Sequence, residues 1–241
     1  MGKDNRRGLW SRFLDALFPP RCVFCGRLTT REEPSCPRCR PYLPWLGEGE
    51  WDNARYQAFD GFCAPFYYEG RVQRAILGFK DTGRDWEADC FASLMVDALK
   101  RAYPEEAFTA AVPVPTTMEK LMKRGFNQTE LLSRRVAEAL GIPNLPHALL
   151  RLEETRTQHH LSALGRRLNA VSSYRSGEGK LEGSVLLIDD VATTGATLHA
   201  CALALKEMGA QRVVALTLAA TLKKTGNPVE KLDKNQYNDL L

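Results

Sequence analysis

The sequence predicts an α/β fold, a parallel sheet flanked by helices, with a small cysteine-bearing module in front of it. Three observations predict this. Short apolar runs at Ala110–Val114, Val185–Ile188 and Val213–Leu218 have the length and unbroken hydrophobicity of strands buried on both faces. Stretches with helical apolar spacing lie among them, at Trp86–Ala102, Thr129–Leu140 and Ala196–Met208. Two Cys-x-x-Cys pairs, Cys22 with Cys25 and Cys36 with Cys39, precede all of these.

The chain of 241 residues has room for one main domain and an appendage, and its 44% hydrophobic and 26% charged residues are ordinary for a soluble protein. Its net charge of +4 permits a nucleic-acid partner without requiring one. No apolar run approaches the roughly 20 residues of a membrane span. We expect four segments: an amphipathic N-terminal helix over 1–20, a metal-binding module over 21–50, the α/β domain over 51–222 and a polar tail over 223–241. In the first, Trp10, Phe13, Leu14 and Leu17 share one helix face, which docks on the chain's own core or on a partner. Arg12 and Asp15 interrupt it and Pro19-Pro20 follow, so it is not a signal peptide, and the expected location is cytoplasmic.

In the second segment each Cys-x-x-Cys knuckle presents two thiolates, and Gly26 permits the tight turn after the first. Four thiolates in tetrahedral array suit Zn²⁺, with Cys22, Cys25, Cys36 and Cys39 as ligands. An iron–sulfur cluster or redox pairs are the alternatives, and disulfides fit less well without an export signal. Four protein ligands leave no position for substrate, so the ion is structural. Cys63, Cys90 and Cys201 sit among apolar neighbours and read as buried, inert thiols. Arg21, Arg27, Arg31, Arg38 and Arg40 surround the knuckles, either solvated or facing nucleic acid.

Pro41 to Trp51 reads as an ordered connector, Phe62–Tyr68 as a strand, and Arg71–Lys80 as a helix or turn. Ala110–Val114 ends in prolines that leave Pro115, Thr116 and Thr117 at a strand's carboxyl end, where open α/β sheets bind ligands. Lys120, Lys123 and Arg124 precede a helix start and suit an anion. Asn127 and Glu130 form a capping box for that helix, which Gly141 closes. The segment Arg151–Asn169 is polar and basic, with Arg156, Gln158, His159, His160, Arg166 and Arg167, and reads as a lid over an anionic ligand.

The most telling run is Val185 to Thr197, in which a four-residue strand ends at Asp189-Asp190 and a loop of small hydroxyl residues leads into a helix. The helix N-terminus offers unpaired N–H groups, and Thr193, Thr194 and Thr197 add hydroxyl donors around a phosphate. Carboxylates repel phosphate, so Asp189 and Asp190 serve a sugar diol or a bridging Mg²⁺ instead. A phosphorylated ribose satisfies both halves of the loop. No Walker loop and no Gly-x-Gly-x-x-Gly is present.

This run resembles the phosphoribosyl pyrophosphate (PRPP) motif of type I phosphoribosyltransferases. The resemblance implies that Asp189 and Asp190 hold the ribose hydroxyls while Val191, Ala192, Thr193, Thr194, Gly195, Ala196 and Thr197 wrap the 5′-phosphate. The order of the cysteine knuckles, Val112-Pro113-Val114-Pro115, Lys123-Arg124-Gly125-Phe126-Asn127-Gln128, the Arg156-Thr157-Gln158 segment and the PRPP motif is similar to the ComF family of competence-associated phosphoribosyltransferase-like proteins. That resemblance implies a zinc module in place of the base-recognising hood, a pyrophosphate loop at Pro115–Thr117 and a flexible loop over Arg156–Arg167. It further implies Mg²⁺ arriving with PRPP, charge screening by Arg156, Lys123 and Arg124, and a part in natural transformation beside single-stranded DNA and competence proteins. Transfer of phosphoribose, nucleotide salvage and PRPP sensing without turnover all remain open.

Overall fold

A computed structural model of the chain describes residues 20–30, 33–47, 51, 58–152 and 173–221. The expected N-terminal helix, the polar tail, Arg31, Arg156, Gln158, His159, His160, Arg166 and Arg167 lie outside the described residues.

The main domain is one parallel sheet with helices on both faces. Its strands are β1 (Gly61–Cys63), β2 (Phe66–Tyr67), β3 (Phe108–Pro113), β6 (Ser184–Ala192) and β7 (Arg212–Ala220). Their order is β1-β7-β6-β3, with β2 continuing the β1 edge against β7, and every pairing in this sheet is parallel. Pro143–Leu145 extends the β3 edge, since the Ala111 N–H donates to the Pro143 carbonyl and the Leu145 N–H to the Ala111 carbonyl. A separate antiparallel ribbon joins β4 (Leu149–Arg151) to β5 (Tyr174–Ser176).

The alternation of β-strand side chains divides the core in two. On one face Leu186, Ile188, Val214 and Leu216 pack against α1 (Gly70–Thr82), α2 (Asp85–Ala102) and α4 (Gln128–Leu140). On the other Val185, Leu187, Val213 and Ala215 pack against α5 (Ala196–Glu207). These strand residues are fully buried, as their near-continuous hydrophobicity predicted. Among the described residues no helix is long and apolar enough to cross a membrane.

Three local expectations are corrected, and the open choice at Arg71–Lys80 is resolved as a helix. The strand expected at Phe62–Tyr68 is two, because Pro65 has no N–H for a ladder and instead its carbonyl accepts from Leu46. Residues 71–80 lie in a full helix, α1, closed by Gly83 in the left-handed region (φ 54°). Lys120, Lys123 and Arg124 do not merely precede a helix; they belong to a short one of their own, α3 (Met118–Arg124), capped by Thr117 Oγ1 accepting from the Lys120 N–H at 3.2 Å. Asn127 caps α4 by accepting from the Thr129 N–H at 3.2 Å, one position short of the capping-box geometry.

Candidate phosphoribosyl site and zinc centre

The largest difference from expectation lies at the acid pair. The strand does not stop at Ile188. β6 runs on through Asp189, Asp190, Val191 and Ala192 because β7 is equally long and keeps pairing, Asp189 opposite Thr217 and Ala192 opposite Ala220. The two carboxylates therefore ride on a strand within the sheet's carboxyl end, on a rigid element. Thr193 and Thr194 are exposed, and Gly195 at φ 80° turns the chain into α5. The turn is tied down: the Ala196 N–H donates to Thr194 Oγ1 at 3.3 Å, and Thr221, just past β7, bonds back to the Ala192 and Thr193 carbonyls. The exposed hydroxyls and the N-terminus of α5 form an arrangement whose donors could receive a phosphate.

Asp189 Oδ1 accepts from the Asp190 N–H at 2.8 Å. Burial, and then the charge of Asp190, push the Asp189 carboxyl up to about 7, against the partial relief of that N–H, Lys80 and Lys120. Asp190 has a partner that no motif marks: Lys80 Nζ, from the last turn of α1, stands 2.7 Å from its Oδ2. A lysine in a helix's last turn has a generic reason to be there. Only the packing of α1 beside β6 makes it a site residue.

The strand-end loop lies beside the acids. Val114 still donates to the Ile188 carbonyl at 2.8 Å, after which Pro115, Thr116 and Thr117 turn into α3, all three half-buried. Lys123 is exposed on α3, whereas Arg124 Nη1 donates to Gln128 Oε1 at 3.1 Å. Arg124 holds α4 through this bond, and the charge of Lys120 reaches Asp189. On the opposite side the β4–β5 ribbon places Arg151 Nη1 2.9 Å from the Tyr174 hydroxyl. Tyr174 also bonds Thr197, and burial pushes its phenol up to about 12. The ribbon therefore links Thr197 of the hydroxyl loop to the base of the basic segment that begins after Leu152.

Two tryptophans near the module have internal partners, although Trp45 stays 37% exposed. Trp51 stacks on Phe62 with centroids 3.9 Å apart and donates to the Thr221 carbonyl at 3.2 Å, and Trp45 packs against Phe66 at 4.7 Å. Phe126 covers Gly83, where a β-carbon would collide with its ring.

The cysteine tetrad forms a single centre. The Sγ atoms of Cys22, Cys25, Cys36 and Cys39 all lie within 4.8 Å of one another, with Cys25 and Cys36 3.6 Å apart. Zn–S bonds of about 2.3 Å in a tetrahedron put sulfurs about 3.8 Å apart, so the set fits zinc. Gly26 adopts φ 72° and its N–H donates to the Cys22 carbonyl at 2.8 Å, closing the first knuckle. Burial pushes the Cys22 and Cys39 thiols up; at Cys36 it is outweighed by the Cys39 N–H and the neighbouring thiols, which bring it down to about 7. Arg71 Nη1, at the start of α1, lies 3.6 Å from Cys39 Sγ and supplies outer-shell charge to the thiolates. Phe24, between the first two cysteines, meets Phe66 and Phe91 edge-on at 5.6 and 6.4 Å, so the module is packed onto the main core. Of the remaining cysteines Cys63 and Cys201 are buried and Cys90 is half-buried; burial raises the Cys90 thiol to about 11 and pushes Cys201 up as well, in keeping with inert thiols.

A parallel sheet with an acid–acid–hydroxyl loop at its carboxyl end, joined to a four-cysteine zinc centre, defines a phosphoribosyltransferase-domain protein with an N-terminal zinc ribbon. Residues 13–49 match the double zinc ribbon domain family and residues 132–238 the phosphoribosyl transferase domain family. The chain is 38% identical over 210 residues to DNA utilization protein YhgH of Salmonella typhimurium, covering 83% of this chain and 90% of that one. It is 29% identical over 220 residues to Competence protein F of Haemophilus influenzae, covering 83% and 96%, and 33% identical over 145 residues to Competence protein ComFC of Bacillus subtilis, covering 60% and 57%. The chain belongs to the ComF family. Its zinc is structural, held by four protein thiolates.

Proposed function

We propose that this chain binds PRPP as its Mg²⁺ complex in the cytoplasm and works in the handling of single-stranded DNA during natural transformation or DNA use, alongside competence proteins. One observation carries the ligand: a single strand delivers two adjacent carboxylates and, directly after them, a pinned hydroxyl turn and a helix N-terminus. Asp189 and Asp190 accept hydrogen bonds from the ribose hydroxyls. The N–H groups and hydroxyls from Val191 to Thr197 receive the 5′-phosphate. Pro115, Thr116 and Thr117 face the pyrophosphate with its Mg²⁺, helped by Lys123, Arg156 and Gln158, while Arg124 supports the wall through Gln128. Mg²⁺ supplies charge neutralisation at the leaving pyrophosphate. In a transferase the bond from the sugar C1 to pyrophosphate breaks, the acceptor bonds to C1, and the acceptor's proton leaves with a base. The DNA role is supported by the names of the relatives and by the mildly basic charge.

Calorimetric titration with PRPP and Mg²⁺ tests the ligand, and absence of binding overturns the reading. Pyrophosphate release with a panel of nucleobases separates a transferase from a PRPP sensor. Filter binding of single-stranded DNA, repeated between about 50 and 200 mM salt, should lose affinity steeply if the backbone is contacted. Affinity indifferent to salt argues against the DNA role.

A further inference from the structure

The acid pair holds a cation of its own. Two adjacent carboxylates at the end of a strand, with solvent before them, are ordinarily a place for a divalent ion. Here Lys80 Nζ takes that place at Asp190 Oδ2, 2.7 Å away, with the two side chains 21% and 17% exposed. It arrives from α1, outside every loop that forms the phosphate and pyrophosphate walls.

The lysine is held in position by its own backbone. Its carbonyl accepts from Gln128 Nε2 at 3.0 Å, and Gln128, only 3% exposed, is itself fixed by Arg124. One turn further on α1 ends at Gly83, beneath the ring of Phe126. Two helices and a buried amide thus set where the ammonium group can stand. Among the described residues, the other charges and titrating groups coupled to the pair are Lys120 on α3, Arg151 and Tyr174 on the ribbon, and Cys201 on α5.

We propose that Lys80 is the resident counterion of this site: it positions the Asp190 carboxylate for a sugar diol and keeps a free divalent cation from binding there. The inference rests on the phosphoribosyl reading and deepens it. With the cation position filled by the protein, the remaining carboxylate oxygens are left for hydroxyl donors, and metal enters only as its complex with the ligand's pyrophosphate. The site selects a phosphorylated sugar bearing a free diol over a bare metal ion. Lys80 is a positioning residue, acting through Asp190.

The test uses the zinc-loaded full chain and Mn²⁺ as a paramagnetic probe, titrated alone and then with PRPP. Wild type should bind free Mn²⁺ only weakly. K80M, with K80Q as a second variant should the first fold poorly, should gain a Mn²⁺ site at least tenfold tighter and lose about tenfold in PRPP affinity. K80R should behave as wild type, and the double variant K80M/D190N should lose the new metal site. Should wild type bind free Mn²⁺ as tightly as K80M, or should wild type bind PRPP and K80M bind it equally well, the role of Lys80 is overturned. A wild type that ignores PRPP, while K80M still gains the Mn²⁺ site, overturns the phosphoribosyl reading and supports the counterion.

Discussion

Gln128 donates from Nε2 to the Lys80 carbonyl at 3.0 Å and thereby joins the first turn of α4 to the last turn of α1. The bond is part-buried, with the Gln128 side chain itself only 3% exposed, so water can replace it only in part. Replacing Gln128 with Leu leaves the Lys80 carbonyl and the Arg124 guanidinium short of partners, at a cost of about 1–3 kcal/mol. Chemical denaturation of Gln128→Leu should show that loss, and PRPP affinity should fall with it because Lys80 shifts relative to Asp190.

The acid pair should be needed for the ligand but not for the fold. Asp189→Ala combined with Asp190→Ala should abolish PRPP binding in calorimetry while circular dichroism and the cooperative melt persist. A double variant that still binds PRPP would remove the carboxylates from the ribose role. One that fails to melt cooperatively would show that they serve the strand instead.

Asp189 also sets a pH dependence. Its carboxyl is pushed up to about 7, whereas an unfolded aspartate titrates near about 4. The folded chain therefore binds the proton more tightly, and this residue's contribution to stability falls as pH rises through that window. Asp189→Asn cannot ionise and keeps an acceptor for the Asp190 N–H. Its melting temperature should exceed that of wild type at pH 8, and the difference should shrink toward pH 4. An equal difference at both pH values would contradict the raised titration.

Zinc should stabilise the whole chain rather than its first segment alone, since Phe24 reaches Phe66 and Phe91 of the main core. Cys22→Ala should lower zinc content by elemental analysis and lower the melting temperature in one transition. Phe24→Ala should cost about 3 kcal/mol, at the low end for a phenylalanine because the ring is only partly buried, while zinc stays bound. Two separate melting transitions would show that the module and the sheet are independent.

Much of this is legible in the amino-acid sequence alone. Hydrophobic runs located β3, β6 and β7, helical spacing located α2, α4 and α5, and cysteine spacing specified the zinc centre. Motif order identified the family. Boundaries were read less well where tertiary pairing overrode local composition. Polar Asp189 and Asp190 look like a strand's end, yet β7 holds them in the ladder, and α3 is too short to show a period. The ribbon of β4 and β5 was hidden because its strands are three residues each and separated by the basic segment.

The sequence by itself determined the chemistry of both centres, four thiolates for one ion and two carboxylates before a hydroxyl turn, because such ligand sets are local and their spacing is written in the chain. Only the tertiary structure decided who stands opposite them. Lys80 and Asp190 are 110 positions apart, as are Arg71 and Cys39 by 32, and no periodicity encodes either meeting. Those pairs exist because α1 packs across the face of the sheet, carrying a cation at each end to the two negatively charged centres.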